Sequence, residues 1–244
     1  MSIPTLLRLS FSLRAGADRT FAVLDNVDGL QFRALRCNRI VVLWILRGCM
    51  MAMVFLVYGP RGSGKTSAVV ELGEAISELG IDVGGFYQHA TYDELDRRGY
   101  DIVRFRDRSV RLLLARPGGM EKPGVSAICS YSFSQQVLAE GRSWLEHDAC
   151  RNRVLIIDEI SKLEARGEGH ADALRWALSL GDDKLLLLSV RADQLFYVVE
   201  AFDLGDRVVG YVESPTTSQN LAVHAEWIAN MLAGLPAVTE GTHM

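Results

Sequence analysis

Val54-Phe-Leu-Val-Tyr-Gly59-Pro-Arg-Gly-Ser-Gly-Lys-Thr66 is the stretch that decides the fold. A short apolar run, fit for a buried strand, ends in a glycine loop matching GxxxxGK(S/T). Helical spacing follows at once in Val69, Leu72, Ile76 and Leu79, and Gly80 stands where a helix end favours a left-handed residue. Gly59, Gly62 and Gly64 let the chain turn so that successive N–H groups face an anion. The helix beginning near Lys65 aims its positive end at the same point. Lys65 is the candidate to bridge β- and γ-phosphates, and Thr66 to bind magnesium through its hydroxyl. Pro60, Arg61, Ser63 and Ser67 complete the predicted nucleotide cradle. At ordinary glycine frequency the four fixed positions arise by chance in roughly one chain of this length in a hundred.

Outward from the loop, apolar strands alternate with amphipathic helices. Strands are predicted over Ile81–Gln88, Arg153–Ile157, Leu185–Val190 and Arg207–Val212, with helices after the last two. Gly99–Phe105 and Val110–Leu114 read as an antiparallel hairpin, and Phe133–Glu146 as a helix. Uninterrupted apolar strands suit a sheet buried on both faces, so the fold class is α/β. We expect a doubly wound, mostly parallel sheet with an antiparallel hairpin insertion.

Val154-Leu-Ile-Ile-Asp158-Glu159 is a strand ending in two acids, about ninety residues after the loop. In an open α/β sheet the carboxyl end of a strand lies at the ligand crevice. Asp158 is the candidate to hold magnesium opposite Thr66, and Glu159 to orient and deprotonate the attacking water. Arg191 follows another apolar strand at the same edge, where a cation could steady the transition state or could be an ordinary surface arginine. Lys162 and Glu164, just beyond the acidic pair, lie where a loop could approach the γ-phosphate, though a plain solvated loop is the favoured reading.

Residues 1–50 differ from the rest, with seven arginines, no lysine and no glutamate. Their apolar residues keep neither a helical nor a strand period for long. The segment is a targeting peptide, an added structural element, or upstream sequence joined to a gene that starts among Met50, Met51 and Met53. The last is favoured, so the P-loop domain is placed at residues 51–235, with a tail at 236–244. The apolar stretch Ile40–Tyr58 contains Arg47 and must supply the first core strand, which argues against a membrane span.

Of 244 residues, 49% are apolar and 23% charged, a balance that suits a folded cytoplasmic protein with a sizeable core. A net charge of −4 provides no general field for nucleic acid, and no feature names a protein partner. Arg97, Arg98, Arg104, Arg106, Arg108 and Arg111 form a local basic cluster, read as a charged stripe or as the charged guard of an edge strand. Cys37, Cys49, Cys129 and Cys150 lack zinc-ligand spacing and read as small buried hydrophobes of no special role.

The P-loop, Gly84-Gly85-Phe86-Tyr87, Gly99-Tyr-Asp-Ile-Val103 and Ile157-Asp-Glu-Ile-Ser-Lys-Leu-Glu164 occur in one order. Together they resemble the small P-loop nucleoside-triphosphatases called the cancer-related NTPase family, over roughly Val54 to Leu232. The resemblance implies hydrolysis of the terminal phosphate of several nucleotides, ATP and GTP among them. It implies Lys65 and Thr66 at the phosphates and metal, Asp158 at the metal and Glu159 at the water. This chain has Ser161-Lys-Leu-Glu164 where that family has Gly-Lys-Met-Glu, and a polar insertion over Ala90–Arg98. A magnesium-dependent nucleoside-triphosphate phosphohydrolase is the leading expectation. A P-loop kinase of small molecules and a slow ATP-driven switch are the alternatives. The absence of an Asn-Lys-x-Asp motif argues against a translation-type GTPase.

Overall fold

Successive side chains of a strand point to opposite faces, so a strand apolar without interruption must be covered on both. The structure, a computed structural model, describes residues 21–27, 30–37, 40–45, 51–93, 96–115, 125–128 and 131–235, with side chains over 51–92, 99–112 and 134–235. The chain divides into two compact units, Met1–Cys49 and Met50–Met244.

The first unit holds β1 (Phe21–Val27), β2 (Leu30–Cys37) and β3 (Ile40–Ile45), paired antiparallel in that order. This corrects the reading that no strand pattern persists there. A register shift between Leu24 and Val27 interrupts the alternation of β1, and β3 is apolar throughout, so a two-residue period survives only over Leu30–Ala34 of β2.

The second unit opens with β4 (Met53–Gly59), α1 (Lys65–Glu78), β5 (Val83–Asp93), β6 (Asp96–Arg104) and β7 (Val110–Ala115). It continues with β8 (Val125–Ile128), β9 (Tyr131–Ser134), α2 (Gln135–Ala149), β10 (Val154–Ile160), α3 (Lys162–Ala165) and α4 (Ala171–Leu178). Then come β11 (Leu185–Arg191), a 3-10 turn, α5 (Leu195–Phe202), β12 (Val208–Glu213) and α6 (Ser218–Ala233). Among the described residues nine strands join in the order β12-β4-β11-β10-β5-β6-β7-β9-β8. The first five run parallel, and the remainder continue antiparallel. The α/β, mostly parallel architecture is the one expected.

Each core strand feeds two cores. Val54, Leu56, Leu155, Ile157, Leu186 and Leu188 meet Leu145 of α2, Leu174 of α4 and Val198 of α5. Phe55, Val57, Val154, Ile156, Leu185 and Leu187 meet Val69, Leu72 and Ile76 of α1 and Leu221 and Ile228 of α6. Burial of each such side chain contributes roughly 1.5–3 kcal/mol. The second compact unit, Met50–Met244, holds both clusters. Residues 51–244 are therefore expected to fold without the extension. A shortened chain that aggregates, or melts more than about 5 °C below the full chain (roughly 1–2 kcal/mol), would defeat that expectation.

Several local readings change. The polar insertion Ala90–Arg98 lengthens the β5–β6 hairpin: Ala90 pairs with Tyr100, Thr91 with Gly99, and Tyr92 with Arg97. The segment at 133–146 splits into β9 and α2, because Ser134 caps the helix by accepting the Val137 N–H at 3.3 Å. β6 is paired on both sides over Gly99–Val103, so it is no edge strand there. Three of the six arginines take separate partners. Arg104 pairs with buried Asp148, Arg108 with Glu74 and Arg111 with Glu140. The side chains of Arg97 and Arg98 lie outside the described residues. Cys150 is exposed rather than buried, and the other cysteine side chains also lie outside the described residues. Among the described residues no helix is long and apolar enough to cross a membrane. The stretch Ile40–Tyr58 falls into β3 and β4.

Candidate nucleotide-binding site

The glycine loop joins β4 to α1, and its glycines differ in their reasons. Gly62 and Gly64 hold φ of +77° and +85°, where other residues are strained. Gly59 is required by close approach instead: a Cβ there would stand 2.4 Å from the Ser214 carbonyl oxygen. Ser214 follows β12 and clasps the loop, donating its hydroxyl to the Ser63 carbonyl at 2.6 Å and its N–H to Tyr58 O at 2.7 Å. Pro60, Arg61, Gly62, Gly64 and Ser67 are exposed, whereas Lys65 is buried with Nζ 3.0 Å from the Pro60 carbonyl. Ser63 Oγ is buried without a protein hydrogen-bond partner.

Two strands from β4, β10 carries the acidic pair. Thr66 Oγ1 donates to Asp158 Oδ2 at 2.8 Å, closing a contact across 92 residues. The Gln88 N–H, at the end of the parallel part of β5, donates to the same oxygen at 3.0 Å, and Ser189 Oγ donates to Oδ1. Asp158 is fully buried, and burial pushes its carboxyl upward while those bonds pull it back. These donors are neutral hydroxyl and amide groups. Hard carboxylate and hydroxyl oxygens side by side fit magnesium, which takes its other oxygens from phosphates and water.

Glu159 is set by a bulge. β10 pairs with β11 at Ile157↔Leu188 and again at Ile160↔Val190, so Asp158 and Glu159 oppose Ser189 alone. Glu159 sits at φ +64°, outside the usual range for a residue with a side chain, and its N–H donates to Ser189 Oγ at 2.9 Å. Arg191 ends β11 opposite Gly59 in the neighbouring strand. Its guanidinium forks onto Asp193, with contacts of 3.1 and 2.6 Å.

Glu164 overturns the solvated-loop reading. It is buried, and its carboxylate accepts the Ser161 N–H at 2.9 Å and the His170 N–H at 3.1 Å, capping α3 and pinning the turn that follows. Lys162 remains exposed. Burial raises the Glu164 carboxyl to about 7 and lowers His170, whose ring lies tilted with its centroid 4.6 Å from that of Phe86, to about 4.

These shifts have opposite signs. The Glu164 contribution to stability is full below its unfolded value of 4.5 and is lost as pH rises through about 7. That of His170 is full above 6.5 and is lost as pH falls through about 4. Each is worth up to about 3 kcal/mol, so in the wild type they largely offset one another. Glu164→Gln is expected to leave a protein that loses stability on acidification from pH 6.5 to 4 more steeply than wild type. Urea midpoints across that range test this, and parallel curves for the two proteins would contradict it.

The sequence pattern missed Ser189, Ser214 and the buried Glu164–His170 pair. Ser189 alone carried a signal, as the one polar residue in Leu185-Leu-Leu-Leu-Ser-Val190.

A phosphate-type loop at the end of a central parallel strand, with an acidic strand end two strands away, defines the P-loop class of α/β proteins. The sequence model of the family described as NTPase matches residues 54–212, and the chain belongs to that family. It is 33% identical over 133 residues to the mouse (Mus musculus) cancer-related nucleoside-triphosphatase homolog, spanning 52% of this chain and 68% of that one. To the human (Homo sapiens) cancer-related nucleoside-triphosphatase it is 32% identical over 134 residues, spanning 53% and 70%. A solution structure of a human cancer-related nucleoside triphosphatase has the same fold, with a TM-score of 0.57 at 22% identity, covering 76% of this chain and all of that one.

Proposed function

We propose that this chain is a magnesium-dependent hydrolase that releases the terminal phosphate of nucleoside triphosphates. One contact carries the reading: the Thr66 hydroxyl against the buried Asp158 carboxylate at 2.8 Å, directly beside Lys65. Bound there, magnesium would neutralise charge on the β- and γ-phosphate oxygens. Thr66 and Asp158 would hold it, while backbone N–H groups of residues 61–67 and the Lys65 ammonium grip the phosphates. Glu159 would take a proton from water as the water oxygen bonds to the γ-phosphorus and the β–γ bridge oxygen leaves with the diphosphate. Arg191 would meet the developing charge after leaving Asp193. ATP and GTP both qualify, because the loop grips phosphates and ignores the base.

The test is a panel of nucleoside triphosphates assayed with magnesium and with EDTA. Inorganic phosphate and nucleoside diphosphate are expected with magnesium, and neither with EDTA. Turnover indifferent to EDTA, or pyrophosphate as product, would reject the proposal.

A further inference from the structure

We infer that Ser189 is a positioning residue for this reaction: its hydroxyl locks the two-residue bulge that sets both Asp158 and Glu159. The inference rests on the hydrolase reading above.

The bulge places two residues of β10 against one of β11, and that one is Ser189. A bulge leaves the extra residue's amide outside the strand ladder, where it needs another acceptor. Ser189 Oγ is that acceptor, 2.9 Å from Glu159 N. The same hydroxyl spends its proton on Asp158 Oδ1, so one group ties the backbone of the second acid to the side chain of the first. Ser189 is fully buried between β4 and β10, facing Val57 in register on one side. A hydroxyl there is unfavourable unless both its donor and acceptor functions are met, and the acidic pair meets both.

The constraint is directional. Glu159 sits at φ +64°, a conformation that persists only where its surroundings impose it. Without the hydroxyl the Glu159 amide loses its acceptor, Asp158 Oδ1 loses a donor, and the backbone can relax out of the left-handed region. Among the described residues the Ser189 hydroxyl bonds Asp158 and Glu159 and no residue of the phosphate loop. A displacement of about 1 Å at a reacting group costs on the order of 10²-fold in rate. The effect therefore falls on the chemical step and on the metal, not on the nucleotide.

The test uses the full chain with Ser189→Ala, Ser189→Cys and Ser189→Thr, with Lys65→Ala beside them. Single-turnover ATP hydrolysis, the Kd of a fluorescent ATP analogue and its dependence on magnesium concentration are measured for each. Ser189→Ala is expected to hydrolyse about 10- to 100-fold more slowly, to keep its Kd at saturating magnesium within about 3-fold, and to need more magnesium for half-maximal affinity. Ser189→Thr restores the hydroxyl and most of the rate. Ser189→Cys keeps the volume with a poor donor and acceptor, and carries the comparison if the alanine variant does not fold. A folded alanine or cysteine variant at the wild-type rate overturns the inference. So does a rate loss matched by an equal loss of nucleotide affinity, or a folded threonine variant as slow as alanine. If Lys65→Ala also turns over at the wild-type rate, the hydrolase reading itself fails, which separates the two failures.

Discussion

Glu159→Gln is expected to slow single-turnover hydrolysis by on the order of 10²–10⁴-fold, the usual contribution of a general base, while nucleotide affinity stays near that of wild type. Glutamine keeps the size of glutamate and sits on the same strained backbone, so the bulge and its bonds to Ser189 survive the change. Only the proton acceptor is lost. Asp158→Asn serves as the contrast. Asp158 accepts from Thr66, Ser189 and the Gln88 N–H, and an asparagine amide must turn its NH2 group toward one of those donors. That leaves a buried clash of donors worth about 1–3 kcal/mol, so stability, magnesium dependence and hydrolysis should fall together. Wild-type hydrolysis by the Glu159→Gln protein would remove this residue from the mechanism.

Lys65→Ala carries the other large effect. The ammonium is buried against the Pro60 carbonyl at the start of α1. Its removal frees one carbonyl, a change of about 1 kcal/mol, so the thermal midpoint should move by only a few degrees. Turnover should fall by on the order of 10²–10³-fold or more, as when a preorganised donor to a developing anion is deleted. Circular dichroism melting beside phosphate release separates the two quantities. An intact fold with undiminished turnover would show that this loop is not the catalytic phosphate cradle.

The two outcomes divide the site between loop and strand ends. Lys65 opens α1 where the loop from β4 ends, and Glu159 belongs to the bulge where β10 leaves its register with β11. Loss of turnover in both variants, with affinity kept only in Glu159→Gln, is the pattern a hydrolase should give. A passive nucleotide binder would lose affinity in the first and show no change in the second.

Much of this fold could be read from composition along the chain. Val54–Val57, Val154–Ile157 and Leu185–Leu188 are apolar at every position, and such strands have only one stable environment, a sheet covered on both faces. The glycine loop was legible for a similar reason: an inward-turned backbone permits few residue types, and the positive φ of Gly62 and Gly64 reflects that restriction. The acidic pair was visible as a charge where an apolar run stops. Those signals are local, each contained in a dozen residues.

What the tertiary structure decided depends on residues distant in the chain. Gly59 was explicable as a turn residue, yet the atom that forbids a side chain there belongs to Ser214, beyond β12. Glu164 stood among polar neighbours and read as solvated, but packing buries it and two backbone amides hold it. The arginines near the hairpin were one cluster in sequence and become separate ion pairs once α1 and α2 bring Glu74, Asp148 and Glu140 to them. The bulge at Asp158–Glu159 left no mark in β10 itself, because it is a mismatch of register between two strands. Sequence alone determined which segments form the parallel core strands, where the glycine loop lies and which two acids end a core strand. Register, burial and the partners of each charge were decided only when β4, β10 and β11 came side by side, because those properties belong to pairs of segments and not to either one.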